Sequence, residues 1–203
     1  MKKFITILLV VILLSCHKKS ETGIANNISV EKPEMTDKEF IEKLIQADFF
    51  KYADSTINLK QTDSLNVYDE ITYKFARIDA EELAEFSFDY FIPQLTKMLN
   101  KRNIKLVVNK TENTEKTNEI NINGENVILY SKEELKNNTF WNSSSVNFFI
   151  KLNQILESKK LRERFYLIYN GNDLSTFLLT NSQYKIFIER YKSNMNEIPR
   201  NPQ

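Results

Sequence analysis

The carboxylates of residues 79–89 form the densest group of side chains in this sequence that could do chemistry. Glu81 and Glu85, and likewise Glu82 and Glu85, have spacings that place both members on one face of a helix. Two carboxylates on one face could act as the acid and base that cleave a glycosidic bond. The same residues also suit the first turns of a helix, where negative charge complements the helix dipole, and the sequence favours that structural role.

A second group lies at residues 162–173, where arginine, tyrosine, asparagine and aspartate follow one another. Alternate residues of a strand face opposite sides, so Arg164 and Tyr166 can be exposed while their neighbours are buried. Arginine and tyrosine contribute much of the binding energy at protein interfaces, and asparagine and aspartate at a turn can bind a ligand or calcium. A turn that caps the next helix is the commoner meaning of such a segment. The candidate ligand or partner contacts are Arg164, Tyr166, Tyr169, Asn170, Asn172 and Asp173.

Residue types exclude several classes of site. The only histidine is His17 and the only cysteine is Cys16. The rest of the chain therefore lacks the residues for a Ser-His-Asp triad, a Cys-His pair or the usual zinc sites. With only three glycines, a glycine-rich phosphate loop is excluded as well. We predict no metal and no cofactor, assign no catalytic residue, and favour binding over catalysis.

The overall charge argues against a polyanionic partner. The chain has 28 lysines and arginines and 27 aspartates and glutamates, a formal net charge of +1. Nucleic-acid binding requires a strong basic field, which this balance does not supply. We therefore expect no nucleic acid among the partners.

The first sixteen residues indicate where the protein is located. Lys2 and Lys3 precede an apolar run at residues 4–14, which is the pattern of a secretory signal peptide. The run is too short to span a bilayer, which takes about 20 apolar residues. Residues 13–16, Leu-Leu-Ser-Cys, resemble the lipobox of bacterial lipoproteins.

The lipobox resemblance implies cleavage before Cys16 and lipidation of that cysteine. Two or more acyl chains hold a protein stably on a membrane, so the chain would be anchored there through Cys16. No aspartate directly follows Cys16, which favours the outer membrane facing the periplasm of the bacterial cell envelope. The surface of a Gram-positive membrane is the alternative location.

The chain divides into four segments by composition. We expect a removed signal peptide at residues 1–15, the lipidated cysteine and a flexible tether at 16–35, a single domain at 36–193 and a frayed tail at 194–203. The expected fold class is α+β, with a small and mainly antiparallel sheet covered by several helices. A mainly helical domain that carries one hairpin is the alternative.

Hydrophobic periodicity places the elements of this domain. Strands are expected at residues 71–76, 104–108 and 164–169, and a hairpin at 119–130 around Asn123 and Gly124. Pro93 is expected to kink or break a helix spanning residues 79–102. Trp141 and Ile188 are placed on inward helix faces. The expected helices are 36–53, 79–102, 139–160, 174–179 and 181–193.

Two functional hypotheses follow from these patterns. In the first, the lipid-anchored domain binds another envelope protein without catalysis, as an accessory subunit or as an inhibitor that protects the cell from a toxin. In the alternative, it binds or cleaves an envelope glycan through Glu81, Glu82, Glu85 or Asp173. The lack of catalytic residue types favours the first hypothesis.

Overall fold

Two three-stranded antiparallel sheets and seven α-helices make up the described part of the protein. The computed structural model describes residues 34–170 and 173–203. The segments expected as signal peptide and tether, up to residue 33, lie outside the described residues, and so do Cys16 and Asn172. The α+β fold class is confirmed, and the mainly helical alternative is wrong.

Helices and strands are interspersed along the described part of the chain. The helices are α1 (Asp37–Gln46), α2 (Ala80–Ala84), α3 (Ile92–Asn100), α4 (Thr114–Thr117), α5 (Lys132–Lys136), α6 (Phe140–Ser158) and α7 (Asn181–Arg190). The strands are β1 (Phe75–Asp79), β2 (Val108–Lys110), β3 (Glu119–Ile122), β4 (Glu125–Ile128), β5 (Glu163–Asn170) and β6 (Asp173–Thr180). None of the described helices has the length and apolar character needed to cross a membrane.

The central sheet has the strand order β1-β6-β5. Phe177 of β6 lies opposite Phe75 of β1 on one side and Tyr166 of β5 on the other. Helices cover both faces of this sheet, so residues 34–203 form one unit with two apolar cores. The sheet is therefore the layer that both cores share.

The two cores use alternate residues of the same strands. Phe165, Leu167 and Leu178 pack in the larger core with α2, α3, α6 and the small sheet. Ile168 and Phe177 pack in the second core with α1 and α7. Because successive side chains point to opposite faces, the apolar residues of β5 and β6 serve both cores at once.

The helix expected at residues 174–179 is wrong, because this segment is β6. It is the middle strand of the central sheet, and Leu174, Thr176 and Leu178 are as buried as Phe177 and Leu179. A strand that is buried on both faces has no polar alternation, so a short apolar run looks the same as a buried helix.

The small sheet has the order β2-β3-β4 and contains the predicted hairpin. The turn between β3 and β4 places Asn123 at φ 51° and Gly124 at φ 90°, so the hairpin is confirmed. The strand expected at residues 104–108 is shifted and begins only at Val108. Its buried residues Ile104 and Leu106 still alternate with exposed ones in the extended segment before it.

The break predicted near Pro93 is confirmed, and it divides the expected helix into α2 and α3. Phe86 adopts φ 62°, which ends α2, and Pro93 lies in the first turn of α3, where its missing N–H costs nothing. The first helix also ends earlier than expected, at Gln46, because Asp48 turns the backbone to φ 56°. The segment expected as a strand at residues 71–76 becomes β1 only from Phe75.

The carboxyl-terminal segment, expected to fray, lies against the edge of β5. Leu167 and Arg200 exchange two backbone hydrogen bonds of 2.7 Å each. Ile198, two residues before this pair, is 7 % exposed. An apolar anchor and a paired strand edge hold the segment, and its polar composition did not indicate either.

Candidate functional site

One end of the central sheet gathers candidate residues from four elements. β1 ends there at Asp79, which lies opposite Asp173 at the start of β6. α2 begins directly after β1, and the first turn of α6 lies nearby. Two neighbouring clefts open at this end, and Glu81 lines both of them.

The first of these is the Trp141 cleft, with a volume of about 360 Å³. Trp141 is 43 % exposed, so its expected inward orientation is wrong. Its ring lies 4.7 Å from that of Phe140, and Phe140 in turn contacts Tyr130 at 5.3 Å. The side chains that line the cleft include Glu81, Asn138, Thr139, Trp141, Asn142 and Tyr169.

Two buried polar atoms in this region have no hydrogen-bond partner among the described residues. They are the Tyr169 hydroxyl, on the cleft wall, and Oε2 of Glu82 on α2. Burial raises the pKa of Tyr169 to about 12. An unpaired buried polar group costs about 1–3 kcal/mol, so the Tyr169 hydroxyl is a group that a ligand could satisfy.

The second is the Asp173 groove, with a volume of about 410 Å³. Tyr90 on its wall is 60 % exposed, and the Arg77 guanidinium lies 5.5 Å from the ring centre of Phe75. The carboxylate of Asp79 accepts hydrogen bonds from the backbone N–H groups of Glu81 and Glu82 at 3.0 and 2.9 Å. The polar and aromatic lining consists of Arg77, Asp79, Glu81, Tyr90, Asp173 and Ser175.

The structure thus joins two groups that the sequence left separate. Glu81 comes from the acidic group, while Tyr169 and Asp173 come from the second group, and all three line these clefts. Asn170 is paired with Asp173 through β5 and β6, and Asn172 lies outside the described residues.

Arg164 and Tyr166 do not belong to this surface. The Arg164 guanidinium donates to the backbone carbonyls of Leu161 and Glu163 at 2.7 and 2.8 Å, at the opposite end of β5. The ring of Tyr166 stacks on that of Tyr184, with centroids 4.2 Å apart. The contact surface expected around residues 164–173 is therefore divided between the two ends of the strand.

The carboxylates of α2 do not act as one group. Glu81 lines the clefts and Glu82 has a buried oxygen, whereas Glu85 is exposed and lines neither cleft. Asp79 is committed to capping α2. Within the described ranges, no group of three or more histidine, cysteine, aspartate or glutamate side chains could hold a metal ion.

Sequence reasoning placed Trp141 on an inward helix face, and it missed Tyr90 and the amides of the Trp141 cleft. The signal that was present is the polar run at residues 137–139, which separates α5 from α6. Asn138 there adopts φ 55°, a left-handed conformation that asparagine tolerates. Trp141 follows this turn closely and lies in the first turn of α6, at the end of the central sheet where the cleft opens.

The most buried charged side chains lie elsewhere, in a network of Lys74, Arg102 and Glu163 between the two cores. Glu163, 7 % exposed, accepts a hydrogen bond of 2.5 Å from Lys74 Nζ and bonds of 2.5 and 2.7 Å from Arg102. Lys74 also donates to Oε1 of Gln183 at 3.0 Å, and Gln183 donates to the carbonyl of Ala47 at 2.8 Å. These groups satisfy one another, and neither cleft reaches them.

The pKa values of this network follow from burial and from its opposite charges. Burial lowers the pKa of Lys74 to about 8, against the attraction of Glu163. Burial would raise the pKa of Glu163, but the hydrogen bonds and charges of Arg102 and Lys74 outweigh it and lower the pKa below its usual value. Perturbed groups of this kind can mark active sites, but here they are closed off and structural.

Comparison with protein-family models, curated proteins and solved structures gives no match for this chain. The functional argument therefore rests on the chemistry of its own site.

Proposed function

We propose that this chain is a lipid-anchored protein of the bacterial cell envelope that acts by binding another envelope protein rather than by catalysis. The lipobox residues 13–16 support anchoring through Cys16, and the residue that follows supports the outer membrane facing the periplasm. An accessory subunit and a toxin inhibitor are the two forms that this binding role would take.

The Asp173 groove carries the proposal for binding. Tyr90 is 60 % exposed beside Arg77, and tyrosine and arginine are among the residues that contribute most at protein interfaces. When a partner covers an exposed aromatic side chain, the apolar surface removed from water contributes favourably to the free energy of binding. This exposed tyrosine in a concave, polar-rimmed groove is the observation on which the proposal rests.

Charge at the groove indicates the chemistry of the partner. Glu81 and Asp173 are exposed, and Arg77 is the only cation among the residues that line the groove. A partner surface rich in lysine or arginine would complement this excess of carboxylate. Because exposed charges are screened by salt, binding should weaken as ionic strength rises.

Binding accounts for these carboxylates better than hydrolysis does. A glycosidase needs two free carboxylates on either side of the bond that it breaks. Asp79, the acidic residue opposite Asp173, is engaged with two backbone N–H groups of α2. A carboxylate held as a helix cap is poorly placed to exchange protons with a substrate.

Affinity capture from native membranes tests the proposal. The lipidated chain is the bait, and Cys16→Ala, which should lose the anchor, controls for membrane association. Tyr90→Ala and Asp173→Asn should each reduce recovery of the partner by about tenfold or more. Leu59→Ala and Asp63→Asn, both exposed and outside the groove, are the matched controls and should leave recovery unchanged.

The outcome separates the two hypotheses. Recovery of one protein in stoichiometric amount, sensitive to Tyr90→Ala and to salt, would support the binding role. Recovery that is equal for the groove variants and their controls, or recovery of no protein at all, would contradict it.

A further inference from the structure

The geometry points to the Trp141 cleft as a binding site for a neutral saccharide, in which one sugar ring lies against the indole. This goes beyond the proposed function, because the ligand is a small carbohydrate and the site adjoins the Asp173 groove rather than coinciding with it. The glycan alternative of the sequence assigned the contacts to carboxylates and placed Trp141 in the core, whereas here the exposed indole of Trp141 is the platform.

Trp141 provides an aromatic platform that contacts a neighbouring ring and is partly open to solvent. Its ring packs 4.7 Å from Phe140, and the chain of rings continues through Tyr130 to Phe86 at 5.9 Å. Solvent reaches 43 % of the residue. A rigid, half-exposed aromatic face in a cleft suits the apolar face of a sugar ring.

The rest of the lining supplies hydrogen-bonding groups without a positive charge. Asn138 and Asn142 each offer a carbonyl acceptor and two N–H donors, and Thr139 offers a hydroxyl. α6 begins beside them without a side-chain cap from Thr139, so its first-turn amides are further donors. This set matches the mixed donor and acceptor pattern of sugar hydroxyls.

The carboxylate in the lining disfavours anionic ligands. Glu81 is the only charged side chain among the described residues that line the cleft. A phosphate or carboxylate group would meet this negative charge with no lysine or arginine to offset it. A neutral polyhydroxylated ligand has no such conflict, and its hydroxyls can donate to the Glu81 carboxylate.

Size and polarity agree with this ligand. Ligand pockets usually have volumes of about 300–1,000 Å³, and the Trp141 cleft, at about 360 Å³, lies at the small end of that range. Such a volume accommodates a ligand of about one or two sugar rings. The unpaired Tyr169 hydroxyl on the wall is buried, so a ligand hydroxyl would pair with it only by displacing the side chains that cover it.

Fluorescence of the purified full chain in detergent tests the inference directly. Trp141 is the only tryptophan, so selective excitation of tryptophan reports this cleft alone. The probes are the neutral disaccharides maltose, cellobiose and diacetylchitobiose, with glucose 6-phosphate as an anionic comparison. We expect at least one neutral disaccharide to give a saturable change in emission and the anion to give none.

Calorimetric titration of variants then locates the binding. Trp141→Ala should reduce the affinity of that disaccharide by tenfold or more, because about 1.4 kcal/mol of contact corresponds to each factor of ten. Asn138→Gly keeps the left-handed backbone and removes the amide, and should cost about threefold to tenfold in affinity. Asn137→Ala, next to it but outside the cleft lining, should bind as the unaltered chain does.

Tyr169→Phe separates a binding role from a structural one. Removal of an unpaired buried hydroxyl should raise the melting temperature of the free protein, while affinity for the disaccharide falls about threefold to tenfold. Tyr166→Phe, on the same strand but the opposite face, should leave affinity unchanged.

No saturable signal with any neutral disaccharide up to millimolar concentration, stronger binding of the anion, or binding that survives Trp141→Ala would each overturn the inference. These results are independent of the protein partner. Tyr90→Ala should reduce protein capture and leave disaccharide binding intact, so the failure of one proposal is distinguishable from the failure of the other.

Discussion

Glu163 is one carboxylate that holds two cations inside the protein. Arg102 and Lys74 side chains are 0 % and 2 % exposed, and both bond to it. The excess positive charge is offset by carbonyl acceptors, since Arg102 also donates to the backbone oxygens of Tyr73 and Met98 at 3.2 and 2.7 Å. Because all three charged side chains are buried, solvent cannot replace the hydrogen bonds that are lost when one of these side chains is changed.

Glu163→Gln should therefore destabilise the protein strongly. The change leaves Arg102 and Lys74 buried without their counter-ion, and breaking a buried pair in this way costs about 3–5 kcal/mol. The free energy of unfolding, measured by urea titration at neutral pH, gives the loss. Glu157→Gln is the control, because its side chain is 74 % exposed and lies 3.9 Å from Arg164. A loss no larger than that of the control would contradict a structural role for the network.

The raised pKa of Tyr169 should make the folded protein less stable at alkaline pH. Its folded pKa is about 12, whereas the unfolded value is about 10. A raised folded pKa gives stability that is present below about pH 10 and is lost as pH rises toward about 12, because the unfolded state releases the proton first. The free energy of unfolding should fall between about pH 10 and 12.

Tyr169→Phe isolates this contribution. All other groups, including Lys74, titrate alike in both proteins, so the difference between their stability curves reports Tyr169 alone. We expect a shallower alkaline loss in the variant. Parallel curves for the two proteins would show that burial does not raise the pKa of this tyrosine.

At the scale of elements, the caps of the helices decide where several of them begin. Thr180 accepts from the N–H of Gln183 at 3.3 Å, and Gln183 Oε1 accepts from the N–H of Thr180 at 3.0 Å. The same reciprocal box occurs at Thr36 and Ser131, whereas Thr139 begins α6 without one.

Thr180→Ala should cost about 1 kcal/mol of stability through loss of the cap. Thr139→Ala is the matched control, since it alters the same residue type at the same position of a helix that has no side-chain cap. Thermal unfolding of the two variants measures the difference. Equal losses of stability in the two variants would contradict a contribution from the cap at Thr180.

Local signals of this kind explain which elements were predictable. The start of the first helix at Thr36, the turn at Asn123 and Gly124 and the break before Pro93 each depend on a few neighbouring residues, and each is confirmed. β6 depends on which strands lie beside it, and nothing within the segment carries that information. Its apolar run was therefore assigned to a helix.

The candidate site was predictable in part for the same reason. Glu81, Tyr169 and Asp173 were named from their types, in two segments far apart in sequence. They meet at one end of the sheet because β1 pairs with β6. This pairing joins segments far apart in sequence, and neither segment alone indicates it. The outward orientation of Trp141 likewise depends on where α6 begins relative to that end.

At the scale of the molecule, β6 lies between two cores, and the carboxyl-terminal segment secures the edge of its neighbour β5. Ile198→Ala should destabilise the protein by about 2–4 kcal/mol through the cavity that it leaves. Met195→Ala, at a residue 64 % exposed in the same segment, should change stability by less than about 0.5 kcal/mol. Chemical denaturation compares the two, and equal effects would indicate that the segment is not docked in solution.

The pairing of β1 with β6 also has a consequence for the order of folding. Phe75 meets Phe177, so the sheet cannot close until nearly the whole chain has been synthesised. Contacts between residues so far apart in sequence slow folding, and a slowly folding chain stays extended for longer. For a chain exported as proposed, a sheet completed by one of its last strands would leave time for translocation before the protein closes around its two cores.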